Sequence, residues 1–575
     1  MSSSPAKSTS SRWSWRGSRT STPAAVTPDS VSEVGVQLDR TSLEDATDPD
    51  SVGDDPERTP AAVGELGLAD ELAGDTDSEQ GKFKALLGIL RKTISVKDLS
   101  SVRISLPANM MEPIGNLEHW TFIDRPDFFT ALAEVDGADE LIRLLAVLRF
   151  MFTKELKYAK HPIAKSFNSI LGEHFHCFYD TAPVDLHPEK GHPVPTVHLD
   201  ENPTPEVLAS AGRASISNAT SAAALKSSPS VTTISKRKNG SALPSSASSI
   251  ASASSSVAPS SSGTSTRKSP ARVVILNEQT SHHPPVSHFL CEARVGTDAQ
   301  PQRTIRLRGV DQLSAKFTGM NVRIVPGAHN KGLFLELADG EEWHITHPTA
   351  AVAGLLRASP YATICDVTTV TCTRPGERER AAGAGEGDGT KKRLRAIVEY
   401  REESWISRPR FAVEGVVYDG SGEGAGERRY SKVKQVPKDR VVGTLEGNWR
   451  GEIRWKKAGE STSTTLVDLV PLSVAPKSVA PLSEQDELET RRVWAPVIDA
   501  LHKKEFSTAS KEKQRIEQEQ RDKAAERKTK GETYEPRFFK PEPEDVADWD
   551  GRPVLSDAGR AALERDFQAD YGDSA

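Results

Sequence analysis

Two periodicities divide the chain. Up to about residue 180, and again from about 486, apolar residues recur at three- and four-residue spacing; from 272 onward they alternate. The stretch KFKALLGILRKTI predicts a helix with Phe83, Leu86, Leu87, Leu90 and Ile94 on one face and Lys82, Lys84, Arg91 and Lys92 available for the other. DELIRLLAVLRFMFTKEL predicts a second, strongly apolar helix. In LRAIVEYRE the residues Leu394, Ala396, Val398 and Tyr400 alternate with Arg395, Ile397, Glu399 and Arg401. LEGNWRGEIRW sets Leu445, Trp449, Ile453 and Trp455 against Glu446, Arg450, Glu452 and Arg454. RVVILNEQ, NVRIVPG, LFLELADG, TICDVTTVTC and RFAVEGVVYDG add short strands with Gly-containing turns. Consecutive strands without intervening helices predict one large curled antiparallel sheet or barrel. ETRRVWAPVIDALHKKEF and KEKQRIEQEQRDKAAERKTKGE return to helix.

Between these patterned regions lie stretches with nothing to pack. Residues 1–80 begin Ser/Thr/Arg-rich and turn acidic, the composition of a disordered arm. Residues 181–271 form a Ser-rich excursion, with 14 serines between 241 and 270, and are expected as a disordered insertion between sheet elements. RPGERERAAGAGEGDGTKKR fits a hairpin loop, and 546–575 are expected as a C-terminal tail. The folded domain is then expected over 81–545, interrupted by the insertion.

Composition narrows the chemistry. A net charge of -7 gives no whole-chain case for nucleic acid, so any cationic function is local. The four cysteines, Cys177, Cys291, Cys365 and Cys372, have no metal-ligand spacing and read as small buried hydrophobes in a reducing compartment. No apolar run is long enough to span a bilayer, and the N-terminus lacks a signal-peptide core. Membrane contact is therefore expected to be peripheral.

The chemistry gathers in NEQTSHHPPVSHFL. Adjacent histidines on an extended strand point to opposite faces, which suits His282 and His283 poorly to chelating one ion. Ser281 and His282 lack the strand–elbow–helix context of a hydrolase nucleophile. A structural turn or a cationic clamp remains. Two further segments carry candidate charges. KSFNSILGE offers Lys165 and Asn168, and the C-terminal helix places Lys513, Glu517 and Arg521 on a stripe spanning about 80°.

Together these segments resemble the oxysterol-binding protein family of lipid transfer proteins. The family hallmark EQVSHHPP appears as EQTSHHPP, with Thr280 for valine, and KPxNPxLGE appears as KSFNSILGE, with Ser166 and Ser169 for the prolines. SVRISLPANMMEPIGNLEHW, KQRIEQEQR and YEPRFF follow the family's order, over about 82–180 and 272–540. The resemblance implies an incomplete barrel around a lipid tunnel, an N-terminal lid formed by the 83–94 helix and a C-terminal helical subdomain. It implies that His282 and His283 bind the 4-phosphate of phosphatidylinositol 4-phosphate, with Lys165, Asn168, Lys513 and Arg521 around the head group and Glu517 orienting the cations or accepting from the inositol. Ser166 and Ser169 are expected to loosen a loop that prolines would stiffen. The second lipid is a sterol or phosphatidylserine, with the sterol favoured. No enzymatic activity, metal or cofactor is implied. The expected place of work is the cytoplasm, peripheral on endoplasmic reticulum, Golgi or plasma membrane contact sites. One string, DFFTALAE at 127–134, offers a docking peptide for an endoplasmic-reticulum adaptor, although core packing is the better reading of it.

Overall fold

The computed structural model describes residues 111–135, 137–160, 165–184, 271–296, 302–317, 321–354, 361–375, 393–403, 408–421, 430–543 and 545–571. The helix expected at Phe83, Leu86, Leu87, Leu90 and Ile94 lies outside them, as do the N-terminal arm and residues 185–270 of the insertion.

Among the described residues the strands are β1 (His174–Thr181), β2 (Ala271–His282), β3 (Pro285–Val295), β4 (Arg303–Asp311), β5 (Leu313–Phe317), β6 (Val322–Pro326), β7 (Leu333–Glu336) and β8 (Glu342–Ile345). They continue as β9 (Thr349–Ala353), β10 (Tyr361–Thr373), β11 (Leu394–Tyr400), β12 (Ala412–Asp419), β13 (Val441–Asn448), β14 (Glu452–Lys457) and β15 (Thr464–Asp468). All pair antiparallel in the order β1-β2-β3-β4-β7-β8-β10-β11-β12-β13-β14-β15, with β5, β6 and β9 branching from β10. No pairing joins β1 to β15 among the described residues, so the sheet does not close. This is the large antiparallel sheet that the alternation predicts, left open as the family resemblance implies. Thr181 and Ala271 are cross-strand partners, so the Ser-rich insertion leaves and re-enters the sheet at one register position.

Alternate residues build the interior. Phe175, Cys177 and Tyr179 of β1, Val273 and Ile275 of β2, and Trp343 and Ile345 of β8 belong to one core. Leu445, Trp449, Ile453 and Trp455 join it as their spacing predicts. Within this core packs α1 (Glu140–Thr153), which starts where the Asp139 carboxylate accepts the Leu141 N–H at 2.9 Å. Every residue from 144 to 153 is buried, which explains why the sequence there lacks a polar face. β11 departs from simple alternation. Ile397 packs outward against Val416, Tyr418 and Val436 in a second core, so both faces of this strand are covered.

Three further helices lie outside the curl: α2 (Thr490–His502), α3 (Phe506–Lys530) and α4 (Asp557–Gln568). α4 falls in the segment expected as a tail. Its Ala562 and Leu563, with Phe538, Phe539 and Leu555, cover Phe178, Val274, Leu276 and Leu290 on the outer side of β1–β3. The DFFTALAE string is core: Asp127, Phe128 and Phe129 are fully buried and Asp127 is held by Arg125. It cannot reach an adaptor while folded. All four cysteines are free thiols. No helix among the described residues is long and apolar enough to cross a membrane.

Candidate functional site

Three segments meet at one end of the sheet: the β2–β3 turn, the loop 165–173 and α3. The loop is tied to β2 by Gly172 N–H to the Gln279 carbonyl (2.9 Å) and Gln279 N–H to the Glu173 carbonyl (2.8 Å). Its Phe167 and Ile170 share a small core with Trp494 and Val497 of α2 and Ala509 and Ile516 of α3. Ridge positions on both helices thus fix the loop against them.

At the turn, β2 ends on His282 and the chain reverses at His283 and Pro284, whose peptide bond is cis. Because His283 lies in the turn, the strand rule that sends neighbours to opposite faces does not apply. The two rings stand edge to face, 4.7 Å apart. His282 Nδ1 lies 3.1 Å from the Ser169 carbonyl, which only accepts, so Nδ1 carries the proton. Its Nε2 can donate to an anion only when the ring is also protonated.

On α3, the buried Lys513 ammonium sits 2.5 Å from Glu517, and Arg521 reaches the other Glu517 oxygen at 3.8 Å. Lys165 is exposed to water but hemmed in by this charged helix. Desolvation, and then the neighbouring Lys513, lower its ammonium pKa, with Glu517 opposing. Asn168 is exposed on the same loop. Lys165, Lys513 and Glu517 therefore interact, His282 joins them through the loop, and Arg521 forms the outer edge. Ser166 and Ser169 are buried, and Ser166 Oγ bonds Asn116 at 3.0 Å. Backbone bonds from the N–H groups of Glu112 and Asn116 to the carbonyls of Lys165 and Phe167 tie the loop to the segment before β1.

Behind the rim are residues the sequence did not single out. Glu278 opens the EQTSHHPP motif and is fully buried. Its carboxylate accepts the N–H groups of Arg537, Phe538 and Phe539 at 2.6, 2.8 and 3.2 Å and the Tyr534 hydroxyl at 3.2 Å. Glu173 accepts from Ile170 N–H, the Thr490 hydroxyl and the Trp494 indole, and burial still pushes its pKa up to about 7. His288 and His329 share the Glu542 carboxylate, at 2.6 and 2.5 Å. A backbone donor hundreds of residues away leaves no pattern in sequence, which is why Glu278 was not foreseen.

Inside the barrel, the end of α1 carries charge. Lys154 pairs with Glu155, and both line a cavity of about 30 Å³ with Phe152, Ile345, Tyr400 and Trp449. Burial raises the Glu155 carboxyl, but the charge and hydrogen bond of Lys154 outweigh it and hold the pKa below its usual value. Burial and Lys154 push His347 down to about 4, leaving it neutral; burial and Glu155 push Asp311 up to about 7. Two charges closing the otherwise apolar FMFTKEL run were the available sequence signal. The Cys365, Asp366 and Glu402 side chains also approach one another within 4.8 Å, on β10 and beyond β11 rather than on this rim.

An apolar curl with cations along one end is an arrangement that suits an amphiphile with an anionic head. The oxysterol-binding protein model matches residues 85–207, 264–498 and 495–554. Oxysterol-binding protein-like protein 1 of Schizosaccharomyces pombe is 37% identical over 514 residues, 86% of this chain and 92% of that one. The chain belongs to the oxysterol-binding protein family. Oxysterol-binding protein-related protein 11 of Homo sapiens is 24% identical over 80% of this chain and 49% of its own length. Among solved structures, the Osh3 ORD of Saccharomyces cerevisiae in complex with PI(4)P gives a TM-score of 0.48 at 17% identity, covering 85% of this chain and 94% of that one. The Osh1 ORD domain in complex with cholesterol gives 0.46 at 16%, covering 87% and 99%.

Proposed function

We propose that the protein exchanges phosphatidylinositol 4-phosphate for a sterol between membranes, as a peripheral carrier at endoplasmic reticulum, Golgi or plasma membrane contacts. The observation that carries this reading is that Lys165 of the 165–173 loop, within electrostatic reach of Lys513, shares that loop with Ser169, whose carbonyl His282 Nδ1 contacts. Two ammonium groups held close repel each other, and a phosphomonoester placed between them relieves that repulsion. In this reading His282 and His283 clamp the 4-phosphate, Lys165, Lys513 and Arg521 add charge, Asn168 donates to the inositol and Glu517 aims the cations. Charge-assisted hydrogen bonds contribute about 1.5–3 kcal/mol each, enough for a few to select the head group.

The sterol is supported by the interior. Lys154 and Glu155 cancel each other, and His347 Nε2 is buried without a hydrogen-bond partner among the described residues. That set suits a neutral cargo bringing one hydroxyl inside better than a second anionic head. The 30 Å³ cavity is about one water in size, so loading requires side chains along it to move aside. Burying the cargo removes about 0.8 kcal/mol of exposure per CH₂, which makes exchange between bilayer and barrel nearly neutral. Mass spectrometry of lipids bound to the recombinant protein tests the pair. Phosphatidylinositol 4-phosphate with a sterol is the expected result; phosphatidylserine in place of the sterol would replace the second half of the reading.

A further inference from the structure

The ILGE end of the 165–173 loop folds into a turn that Glu173 closes twice. Its N–H donates to the Ile170 carbonyl at 3.0 Å, and its Oε2 accepts the Ile170 N–H at 2.9 Å. Gly172 is third in this turn with φ +82°, the positive angle that the position requires. Thr490 and Trp494 of α2 hold the same carboxylate at 2.9 and 3.2 Å, so its direction is set from more than one element. The Ile170 N–H belongs to the peptide group whose carbonyl is that of Ser169. That carbonyl is the partner of His282 Nδ1, at 3.1 Å. One planar peptide group therefore carries a hydrogen bond at each end, to Glu173 on one side and to His282 on the other. Ser169, Ile170 and Glu173 are 1, 5 and 0% exposed, so this plane is buried.

We propose that Glu173 is a positioning residue for His282, fixing the tautomer and direction of its ring through the Ser169–Ile170 peptide group. A neutral imidazole carries its proton on one nitrogen, and the partner of the other ring position selects which. A carbonyl at Nδ1 selects Nδ1–H and leaves Nε2 for a ligand arriving from outside. The carbonyl stays in place only while its peptide group does not rotate. Glu173 opposes that rotation, because a rotated peptide would strand the Ile170 N–H in the interior without an acceptor. The proposal rests on the reading of His282 as a phosphate ligand, but its first consequence, the tautomer, needs no lipid.

The test reads the ring nitrogens of the full chain by NMR after labelling with 15N-histidine, the His282 signal being identified by its loss in His282→Ala. The measurement is made at about pH 8, where histidine rings are neutral. Glu173, its pKa pushed up to about 7, is ionised there. Wild-type His282 is expected as Nδ1–H. Glu173→Met, which fills the space but accepts no hydrogen bond, is expected to lose that preference. It is also expected to lose about tenfold in affinity for a short-chain, water-soluble phosphatidylinositol 4-phosphate. Glu173→Gln, whose amide oxygen can still take the Ile170 N–H, is expected to retain both. Thr490→Val removes a different partner of Glu173 and leaves the peptide plane alone, so it should cost stability without moving tautomer or affinity. A wild-type ring found as Nε2–H overturns the proposal whether or not Glu173→Met folds. So does a Glu173→Met ring that keeps Nδ1–H, or a Thr490→Val protein that loses as much affinity as Glu173→Met. If the wild type ignores the soluble lipid while the tautomer follows Glu173 as stated, the phosphate reading of His282 fails and the positioning role stands.

Discussion

The two halves of EQTSHHPP do opposite things with polar groups. Glu278 and Gln279 are buried and fully engaged: Glu278 by four donors from the 534–539 segment, Gln279 by the Ser281 carbonyl and the Ser287 hydroxyl. At the other end of the string His282 is half exposed and His283 exposed, with His282 Nδ1 against the Ser169 carbonyl. One short string is thus an anchor at one end and, on the proposed function, a clamp at the other. The anchor fixes the hairpin against the C-terminal segment so that the clamp can stay open to a ligand without losing its position.

Substitutions at the anchor separate from those at the clamp by what they damage. The largest effect is expected at Glu278. Its replacement by Ala leaves three backbone N–H groups without their acceptor, those of Phe538 and Phe539 buried and that of Arg537 part-buried, and should cost about 4 kcal/mol of stability, seen as a shifted denaturant midpoint. Glu278→Gln, which keeps one acceptor oxygen, should lose about half as much. If Glu278→Ala unfolds like the wild type but loses lipid binding, the division between anchor and clamp is wrong.

Glu173 gives the next effect, and its sign is set by burial. Its folded pKa is raised from 4.5 to about 7, so the stability it contributes is complete below pH 4.5 and lost as pH rises to about 7. The loss is about 3 kcal/mol. Glu173→Gln cannot titrate, so the difference in stability between variant and wild type should move in the variant's favour by that amount from pH 4.5 to 7. A difference independent of pH contradicts the buried, protonated carboxyl.

On the clamp side, Lys513→Ala should lose about 2 kcal/mol of phosphoinositide affinity and largely spare uptake of the second lipid. Paired transfer assays measure both. If Lys513 only stabilises α3 through Glu517, the change costs a few tenths of a kcal/mol and leaves both ligands equally bound.

How much of this was legible varies with the kind of contact. Period-two alternation gave the barrel, and Leu445, Trp449, Ile453 and Trp455 face inward as it predicts, because one side of those strands meets water. β11 misled where a second core covers its outer face. α4 escaped notice because its apolar side is short and broken by charges, and only the outer face of β1–β3 makes it pay to fold there. The rim residues were legible as a motif, and the structure brings Lys165, Lys513, Glu517, His282 and His283 to one end of the sheet. Glu173, Glu278 and the Glu542 bridge to His288 and His329 were not legible. Their partners are distant in sequence and several are backbone atoms, which carry no side-chain signature.

The central claim, that the rim is a metal-free clamp for phosphate, is tested most directly by changing His282 and His283 together to Ala and measuring extraction of both lipids from liposomes, with and without EDTA. Both side chains lie outside the buried core, so the unfolding temperature should stay close to that of the wild type. Phosphatidylinositol 4-phosphate extraction should vanish, sterol uptake should persist, and the wild type should be indifferent to EDTA. Phosphoinositide extraction that survives the double substitution, or that EDTA abolishes in the wild type, contradicts the claim.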